Sequence, residues 1–235
     1  MAITLGTVQQ LAVIDTKASA VTLKSSDWSW QEAASLPLVW LTARTTIAAV
    51  EPYITSRKKI AVLGGSSSTG MYAVHIAKSR GWSVISSCSG RNADFVTSMG
   101  ADEIIDYTSS SVPERVKAFA PDAIIDCVGG TGCIGLAKRY VTIVGDKTSR
   151  ATMGGAAIYL WHPRMLLRML LGRTGLGNPY DCVNLELNAK YLEETLRLPR
   201  EKITIDSIFE FDQVPDAFER LNTARTRGKV VVRIQ

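Results

Sequence analysis

The segment that most constrains the fold is an apolar strand pattern over residues 60–63, a turn of small residues over 64–70, and an apolar helix pattern over 71–78. A chain built in this way directs backbone N–H groups and the positive end of a helix at one point, which suits a phosphate. The residues must be small because the backbone approaches the ligand closely and the helix packs tightly on the strand. The segment therefore predicts a dinucleotide site.

The turn does not carry the complete G-x-G-x-x-G pattern of dinucleotide-binding loops. Gly64 and Gly70 stand at its ends, and Ser67 and Ser68 occupy positions where glycines are usual. The serine hydroxyls can donate hydrogen bonds to phosphate oxygens. The alternative is a generic strand-to-helix turn of another α/β protein, so the interpretation depends on the rest of the chain.

From about residue 58 the chain alternates strand and helix patterns. The predicted strands cover residues 58–63, 82–87, 103–107, 122–128 and 139–144, and the predicted helices cover 70–80, 93–99 and 113–119. This alternation predicts an α/β fold with a Rossmann-type, doubly wound parallel sheet. The ligand of such a sheet binds at the carboxyl ends of the strands, near the point where the strand order reverses.

The regions on either side of this core are less regular. Before it, residues 7–14 and 20–23 have strand patterns, and residues 30–34 and 38–50 have helix patterns. After it, we predict an extended piece over 182–185, helices over 188–198 and 214–225, and strands over 208–211 and 229–234. No internal repeat or low-complexity segment is present.

Composition excludes several classes of function. The net charge of +5 comes from scattered residues without a long basic run, which argues against nucleic acid as a partner. The cysteines at 88, 127, 133 and 182 and the histidines at 75 and 162 lack the spacing of a metal site, so none is expected. Nothing indicates a disulfide framework, a secretory signal or an apolar run long enough to span a bilayer, and we expect a cytoplasmic protein.

One segment, residues 161–173, is short, apolar and basic. Helices that lie in a membrane interface have this composition. The alternative, which its length favours, is a helix buried on one side with its arginines in solvent.

The loop after the second predicted strand indicates which dinucleotide is bound. In NAD-binding folds an acidic residue at that position holds the ribose 2′-hydroxyl. Residues 86–92 contain no Asp or Glu, whereas Ser89, Arg91 and Asn92 can donate to a 2′-phosphate, and Tyr107 can reach the same pocket. The pattern favours NADP over NAD, with a solvated Arg91 and a surface Tyr107 as the alternative.

Several motifs resemble those of the zinc-free medium-chain dehydrogenases and reductases, which include quinone oxidoreductases and fungal trans-acting enoyl reductases. The segment over 32–43 resembles the "EAA-x-LP…TA" stretch that precedes the cofactor domain of this family. Residues 64–70 resemble its cofactor loop and residues 88–92 its 2′-phosphate loop. Residues 100–107 match "GAD-x-x-x-DY", and residues 228–232 match the closing "GKVVV" strand. The resemblance runs along nearly the whole chain, with the motifs in the family's order.

The resemblance implies roles for individual residues. The pyrophosphate cradle would consist of Gly64, Ser66, Ser67, Ser68, Thr69 and Gly70, and the 2′-phosphate would contact Ser89, Arg91, Asn92 and Tyr107. Residues near the nicotinamide end would be Thr42, Ile143 and Val144, and Arg227 would also contact the cofactor. No His, Tyr or Lys has a spacing that singles it out as a proton donor, so the catalytic residues stay unassigned.

The family's chain begins with a GroES-like catalytic domain, and the present sequence opens in what resembles the last part of that domain. We therefore expect a GroES-like tail and connecting helix over residues 1–45, an NADP-binding Rossmann domain over 46–200, and a return to the catalytic domain over 201–235. A natural short form and a gene model that lost its beginning are both compatible with this opening.

By resemblance, the expected function is an NADPH-dependent reductase of an activated C=C or carbonyl of the enoyl, enone or quinone type, in a polyketide or other secondary-metabolite pathway. Its partners would be a small-molecule or carrier-bound acyl substrate and a second copy or partner enzyme. The alternative is a protein that kept the fold without hydride transfer: a cofactor-binding pseudoenzyme, a partner-completed subunit or a non-redox cyclase.

Overall fold

The computed structural model describes residues 1–3, 8–9, 11–146, 163–223 and 225–234. The chain divides into two compact units. One unit spans Thr42–Asn184, and the other combines Met1–Leu41 with Leu185–Gln235. Each unit is considered by itself below.

The first unit contains a parallel sheet of six strands, which confirms the predicted α/β, doubly wound fold. The strands are β1 (Lys59–Leu63), β2 (Ser83–Cys88), β3 (Glu103–Asp106), β4 (Ala123–Asp126), β5 (Arg139–Thr142) and β6 (Tyr180–Cys182). Their order in the sheet is β3-β2-β1-β4-β5-β6, and every neighbouring pair is parallel. Because the order runs outward from β1 in both directions, the switch point lies between β1 and β4.

The described residues of both units also form α-helices. They are α1 (Trp30–Ser35), α2 (Pro37–Val50), α3 (Gly70–Ser79), α4 (Ala93–Met99), α5 (Val112–Phe119), α6 (Pro163–Thr174), α7 (Ala189–Glu193) and α8 (Val214–Asn222). Local sequence explains several ends. The capping box of Ser29 and Glu32 begins α1, and the left-handed Gly100, with φ of 119°, ends α4.

The core of the first unit lies on the central strands. Ala61, Ile85, Ile105 and Ile124 are almost completely buried and pack with Phe119 of α5. The central strands are apolar nearly throughout, as expected of parallel strands with both faces covered. Burial of each large apolar side chain stabilises the fold by about 1.5–3 kcal/mol.

The second unit contains a small parallel sheet of β7 (Ile205–Glu210) and β8 (Lys229–Arg233), with α1 and α8 packed against it. Asp206 fixes the segment before β8. It accepts hydrogen bonds of 2.8 Å from both Nε and a terminal nitrogen of Arg220, and one of 2.7 Å from the backbone N–H of Arg227. These bonds lower the pKa of Asp206, the bond from Arg220 most of all.

Several predicted boundaries differ from those observed. Strands β4 and β5 end at Asp126 and Thr142, two residues earlier than the pattern predicts. The chain turns at both points because of side-chain hydrogen bonds that are described below. The pattern over 182–185 instead gives β6, which ends at Cys182. The helix predicted over 188–198 is the short α7 followed by a 3-10 turn, Glu194–Arg197.

The strand patterns near the N-terminus do not form regular strands. Residues 11–14 carry no strand, and of residues 20–23 only Val21 forms a bridge, with Ala2. The remainder of the pattern over 7–14 includes residues 7 and 10, which lie outside the described residues. Residues 185–200, predicted to belong to the Rossmann domain, lie in the other compact unit, where Leu192 packs against Ala20 and Leu41.

The apolar, basic segment over 161–173 forms α6 from residue 163, and its first two residues lie outside the described ranges. The helix buries Met165, and Leu166, Leu167 and Leu170 are exposed. Arg168 was expected to project into solvent, but it forms an ion pair with Asp146 of the same unit. No described helix combines the length and apolarity needed to cross a membrane.

Candidate cofactor site

The loop between β1 and α3 has the form that a pyrophosphate requires. Gly64, with φ of 82°, turns the chain at the end of β1, and its N–H donates to Ser87 of the neighbouring strand. In the described part of the chain no hydrogen-bond partner is found for the N–H of Ser66 or Thr69. Two unpaired donors beside the N-terminus of a ten-residue helix fit a bound anion.

The glycines at both ends of this loop leave no room for side chains. A Cβ on Gly70 would lie 2.2 Å from the carbonyl oxygen of Gly64, and a Cβ on Gly64 would lie 2.3 Å from Cγ1 of Val128. The helix therefore begins in direct contact with the backbone of its own loop. This close packing is the reason for small residues here, and it fits the approach of a dinucleotide to the backbone.

Ser67 serves the loop itself. Its hydroxyl accepts a hydrogen bond of 3.0 Å from the N–H of Gly70 and contacts the buried thiol of Cys127. The four residues predicted to cradle the pyrophosphate, Ser66, Ser67, Ser68 and Thr69, are contiguous at the end of β1. Of these, Ser67 fixes the first turn of α3 through its side chain.

The residues predicted to hold the 2′-phosphate follow the adjoining ends of β2 and β3. Cys88 and Asp106 are partners in the parallel register, which places Ser89 next to Tyr107, and Arg91 and Asn92 lie in the 3-10 turn that follows Ser89, Gly90–Asn92. The N–H of Asn92 donates to the carbonyl of Ser89 at 2.8 Å, and its side-chain amide donates to the Ser89 hydroxyl at 3.3 Å. Arg91 and Tyr107 are exposed, with 57% of Tyr107 accessible.

Asp106 holds this loop, although it was not among the predicted site residues. Its carboxylate accepts hydrogen bonds from the N–H and hydroxyl of Thr108, at 2.9 and 2.7 Å, and one from the N–H of Gly90. The bonds from Thr108 are the main reason that the pKa of Asp106 is lowered. A Cβ on Gly90 would lie 2.6 Å from an Asp106 carboxylate oxygen, so the loop rests directly on this group.

On the other side of β1, the chain turns after β4 and β5 around a buried pair, Asp126 and Thr142. Both residues are fully buried, and the Thr142 hydroxyl lies 3.0 Å from Oδ2 of Asp126. Ile143 and Val144, predicted to lie near the nicotinamide, follow Thr142 directly, and Val144 is 8% exposed. A carboxyl residue inside an apolar strand pattern was the signal in the sequence that could have identified Asp126.

Two further residues predicted to contact the cofactor lie outside these loops in the sequence. Thr42 lies in α2, where the first unit begins, and is partly buried. Arg227 belongs to the second unit, where its backbone N–H is bonded to Asp206. Their contacts with a cofactor stay predictions.

The buried thiols and phenol near the sheet edge are held in their neutral forms. Burial, with the charge of Asp126 as a smaller cause, raises the pKa of Cys133 to about 11 and also raises the pKa values of Cys127 and Tyr140. These groups are thus unsuited to act as ionised nucleophiles near neutral pH. Within the described ranges, no group of three or more His, Cys, Asp or Glu residues is arranged to hold a metal ion.

Comparison with known proteins gives consistent matches. A family model described as zinc-binding dehydrogenase matches residues 99–232, which is more than half of the chain. The sequence is 29% identical to the mitochondrial NAD(P)H oxidoreductase RTN4IP1 of Mus musculus, over 97% of this chain and 61% of that protein. It is 31% identical to the trans-enoyl reductase poxH of Penicillium oxalicum, over 75% of this chain and 50% of that protein.

Among solved structures, the quinone oxidoreductase from Coxiella burnetii is similar with a TM-score of 0.71 and 25% sequence identity, over 91% of this chain and 64% of that chain. The present chain thus spans between 50% and 61% of the length of the two curated relatives.

Proposed function

Because the chain belongs to the zinc-binding dehydrogenase family of medium-chain dehydrogenases and reductases, we propose that it binds NADPH and reduces an activated C=C or carbonyl group. The observation that carries the proposal is the loop over residues 64–70. Within the described ranges the N–H groups of Ser66 and Thr69 have no hydrogen-bond partner, and the loop after the neighbouring strand β2, residues 86–92, contains no acidic residue. The names of the relatives, an NAD(P)H oxidoreductase and a trans-enoyl reductase, support it.

Different residues would bind different parts of the cofactor. The backbone of residues 64–70 would hold the pyrophosphate at the N-terminus of α3. Ser89, Arg91, Asn92 and Tyr107 would hold the 2′-phosphate, with Arg91 supplying a charged, forked donor. Thr42, Ile143 and Val144 would contact the nicotinamide end, and Arg227 the cofactor as well. These assignments follow from the family resemblance and the strand ends at which the residues lie.

When bound, the cofactor supplies the hydride, and the protein's task is orientation and electrostatic support. The family's name includes zinc, but the described residues contain no cluster that would bind it, so we assign no step to a metal. We also propose that residues 201–235, which include β7, α8 and β8, return to a GroES-like catalytic domain, with residues 1–45 as the tail of that domain and its connecting helix.

The substrate class is the finer part of the proposal. The similarity to a trans-enoyl reductase favours an enoyl thioester, presented as a small molecule or on a carrier, within secondary metabolism. The similarity to a quinone oxidoreductase structure favours a quinone or enone. All of these present an electron-poor carbon that accepts hydride.

The test is consumption of NADPH by the purified chain with three substrates: a crotonyl thioester, an alkyl enone and a benzoquinone. We expect stoichiometric formation of NADP⁺ and reduced product with at least one of them, verified by mass spectrometry. Gly70→Ala serves as the variant impaired in cofactor binding. Tight binding of NADPH with no reduction of any substrate would favour the alternative, a cofactor-binding module without turnover.

A further inference from the structure

The strand order assigns the two halves of a dinucleotide to opposite sides of β1. The pyrophosphate loop follows β1, and the 2′-phosphate loop follows β2, on the side of β3. The adenosine half of a bound cofactor therefore extends towards β2 and β3. Its other half, the nicotinamide riboside, must extend towards β4 and β5. The loops after β4 and β5 thus form the surface available to the reactive end of the cofactor.

Asp126 holds the loop that follows β4. Its Oδ1 accepts hydrogen bonds from the N–H of Val128 at 3.0 Å and from the N–H of Gly129 at 2.9 Å. These bonds turn the chain sharply where β4 ends. The turn also sets Val128 against Gly64, so the loop after β4 is in contact with the pyrophosphate loop.

Thr142 holds the loop that follows β5. Its hydroxyl oxygen lies 3.2 Å from the N–H of Val144 and 3.1 Å from the N–H of Gly145, and it accepts a hydrogen bond from each. The hydroxyl hydrogen is then available for Oδ2 of Asp126, 3.0 Å away. A single hydroxyl thus connects the backbone of one loop to the carboxylate that fixes the other.

The pair is shielded from water. Asp126 and Thr142 are both 0% exposed, and the Tyr140 hydroxyl also interacts with the carboxylate and lies 3.4 Å from the carbonyl of Gly130. Burial is the main reason that the pKa of Asp126 is raised. A buried carboxylate that accepts several hydrogen bonds is costly to rearrange, because each donor would lose its partner without gaining water.

We propose that Asp126 and Thr142 are positioning residues for the nicotinamide half of the cofactor, because together they fix the backbone of residues 127–130 and 143–145. This inference rests on the proposed function. It assigns the two residues no contact with the cofactor. They act through the loop backbone, while the adenosine half is held by other residues on the other side of β1.

The experiment compares two ligands by isothermal titration calorimetry. NADPH spans both halves of the site, whereas 2′-phospho-ADP-ribose lacks the nicotinamide. For Thr142→Val we expect the Kd of NADPH to rise about tenfold and the Kd of 2′-phospho-ADP-ribose to change less than twofold. Thr142→Ser, which keeps the hydroxyl, should bind both ligands like the parent.

Thr46→Val is the matched control. Thr46 is also fully buried in the first unit, but its hydroxyl donates to the carbonyl of Ala43 in its own helix. The control should bind both ligands like the parent. If Thr142→Val does not fold, Tyr140→Phe tests the same cluster more gently, with an expected loss of about threefold for NADPH alone.

The outcomes separate this inference from the proposed function. Equal loss of affinity for both ligands in Thr142→Val or Tyr140→Phe, or no loss for either, would overturn the positioning role without overturning the proposed function. A parent protein that binds neither ligand would overturn the proposed function, and the positioning role with it. Selective loss of NADPH, with rescue in Thr142→Ser, supports the inference.

Discussion

At the carboxyl edge of the six-stranded sheet, a partly exposed carboxylate holds the loop after β2, whereas a buried carboxylate holds the loops after β4 and β5. Asp106 bonds to Thr108 and Gly90 beside solvent, and Asp126 bonds to Val128, Gly129 and Thr142 without access to water. Bonds beside solvent compete with water and contribute little to rigidity. The buried hydrogen bonds of Asp126 fix the backbone geometry of the loops after β4 and β5.

This difference suits the two tasks that we propose for the two sides. Selecting a 2′-phosphate requires charge and hydrogen-bond donors, which exposed groups such as Arg91 provide. Presenting a nicotinamide to a substrate requires a fixed backbone, since small displacements of the reacting groups lower the reaction rate strongly. The comparison therefore predicts that substitutions on the two sides of β1 change the affinities for different ligands. Substitutions in the central loop, residues 64–70, should weaken binding of both halves of the cofactor.

The largest effect is expected for Gly70→Ala, in the central loop. The added Cβ would lie 2.2 Å from the carbonyl oxygen of Gly64, which is backbone and cannot rotate away. We expect affinity to fall by about 10- to 100-fold, alike for NADPH and 2′-phospho-ADP-ribose, as measured by calorimetry. Gly81→Ala is the control, because a Cβ there meets nothing within 4 Å. Loss of NADPH alone would contradict a shared central loop.

Arg91→Ala should have a smaller and more selective effect. Loss of a charged donor to the 2′-phosphate is expected to weaken the binding of NADPH by about tenfold and that of NADH by less than twofold. The effect on NADPH is limited because the site is exposed. Arg115→Ala removes the same charge from an arginine that pairs with Glu103 at 3.3 Å, and should change neither affinity. Equal weakening of both cofactors by Arg91→Ala would show that Arg91 does not contact the 2′-phosphate.

The smallest effect is a difference in how stability depends on pH. The pKa of Asp126 is raised by burial, so its stabilising contribution is present below the unfolded-state pKa of about 4 and is lost as pH rises through the folded-state pKa. The pKa of Asp106 is lowered by hydrogen bonds, chiefly from Thr108. Its contribution is therefore present above that value and is lost as pH falls through the folded-state pKa.

Denaturant unfolding between pH 3 and pH 8 measures these contributions. The free energy of unfolding of the parent minus that of Asp126→Asn should decrease as pH rises. The same difference for Asp106→Asn should decrease as pH falls below about 4. Two curves with slopes of the same sign would contradict the contrast between the two carboxylates.

The local patterns of the chain predict much of the first unit. Helix α4 occupies the predicted residues 93–99, and β1 differs from its prediction by one residue, because apolar periodicity and glycine signals mark their ends clearly. The same patterns fail at the ends of β4 and β5. The turns there depend on backbone N–H groups that bond to the side chains of Asp126 and Thr142, and a hydrogen bond links these two side chains; apolar periodicity reveals neither.

The candidate site shows the same division. Ser89, Asn92 and Tyr107 follow two strands that the sequence identifies, and the parallel register brings their ends together. The sequence does not identify Asp106 and Asp126 as site residues, because their role depends on which backbone N–H groups donate hydrogen bonds to their carboxylates. Only the folded chain brings those groups together. Among the described residues of the second unit, an isolated bridge between Ala2 and Val21 stands where the pattern over 20–23 predicts a strand, since such a pattern forms a strand only beside a suitable partner.

The central claim is that this sheet edge is an NADP site, and the most direct test is a thermal-shift titration of the purified chain with NADPH and, in parallel, NADH. A ligand that binds only the folded state raises the Tm as its concentration rises. We predict a clear rise with NADPH and little change with NADH. No shift with either cofactor, or an equal shift with both, would contradict the claim.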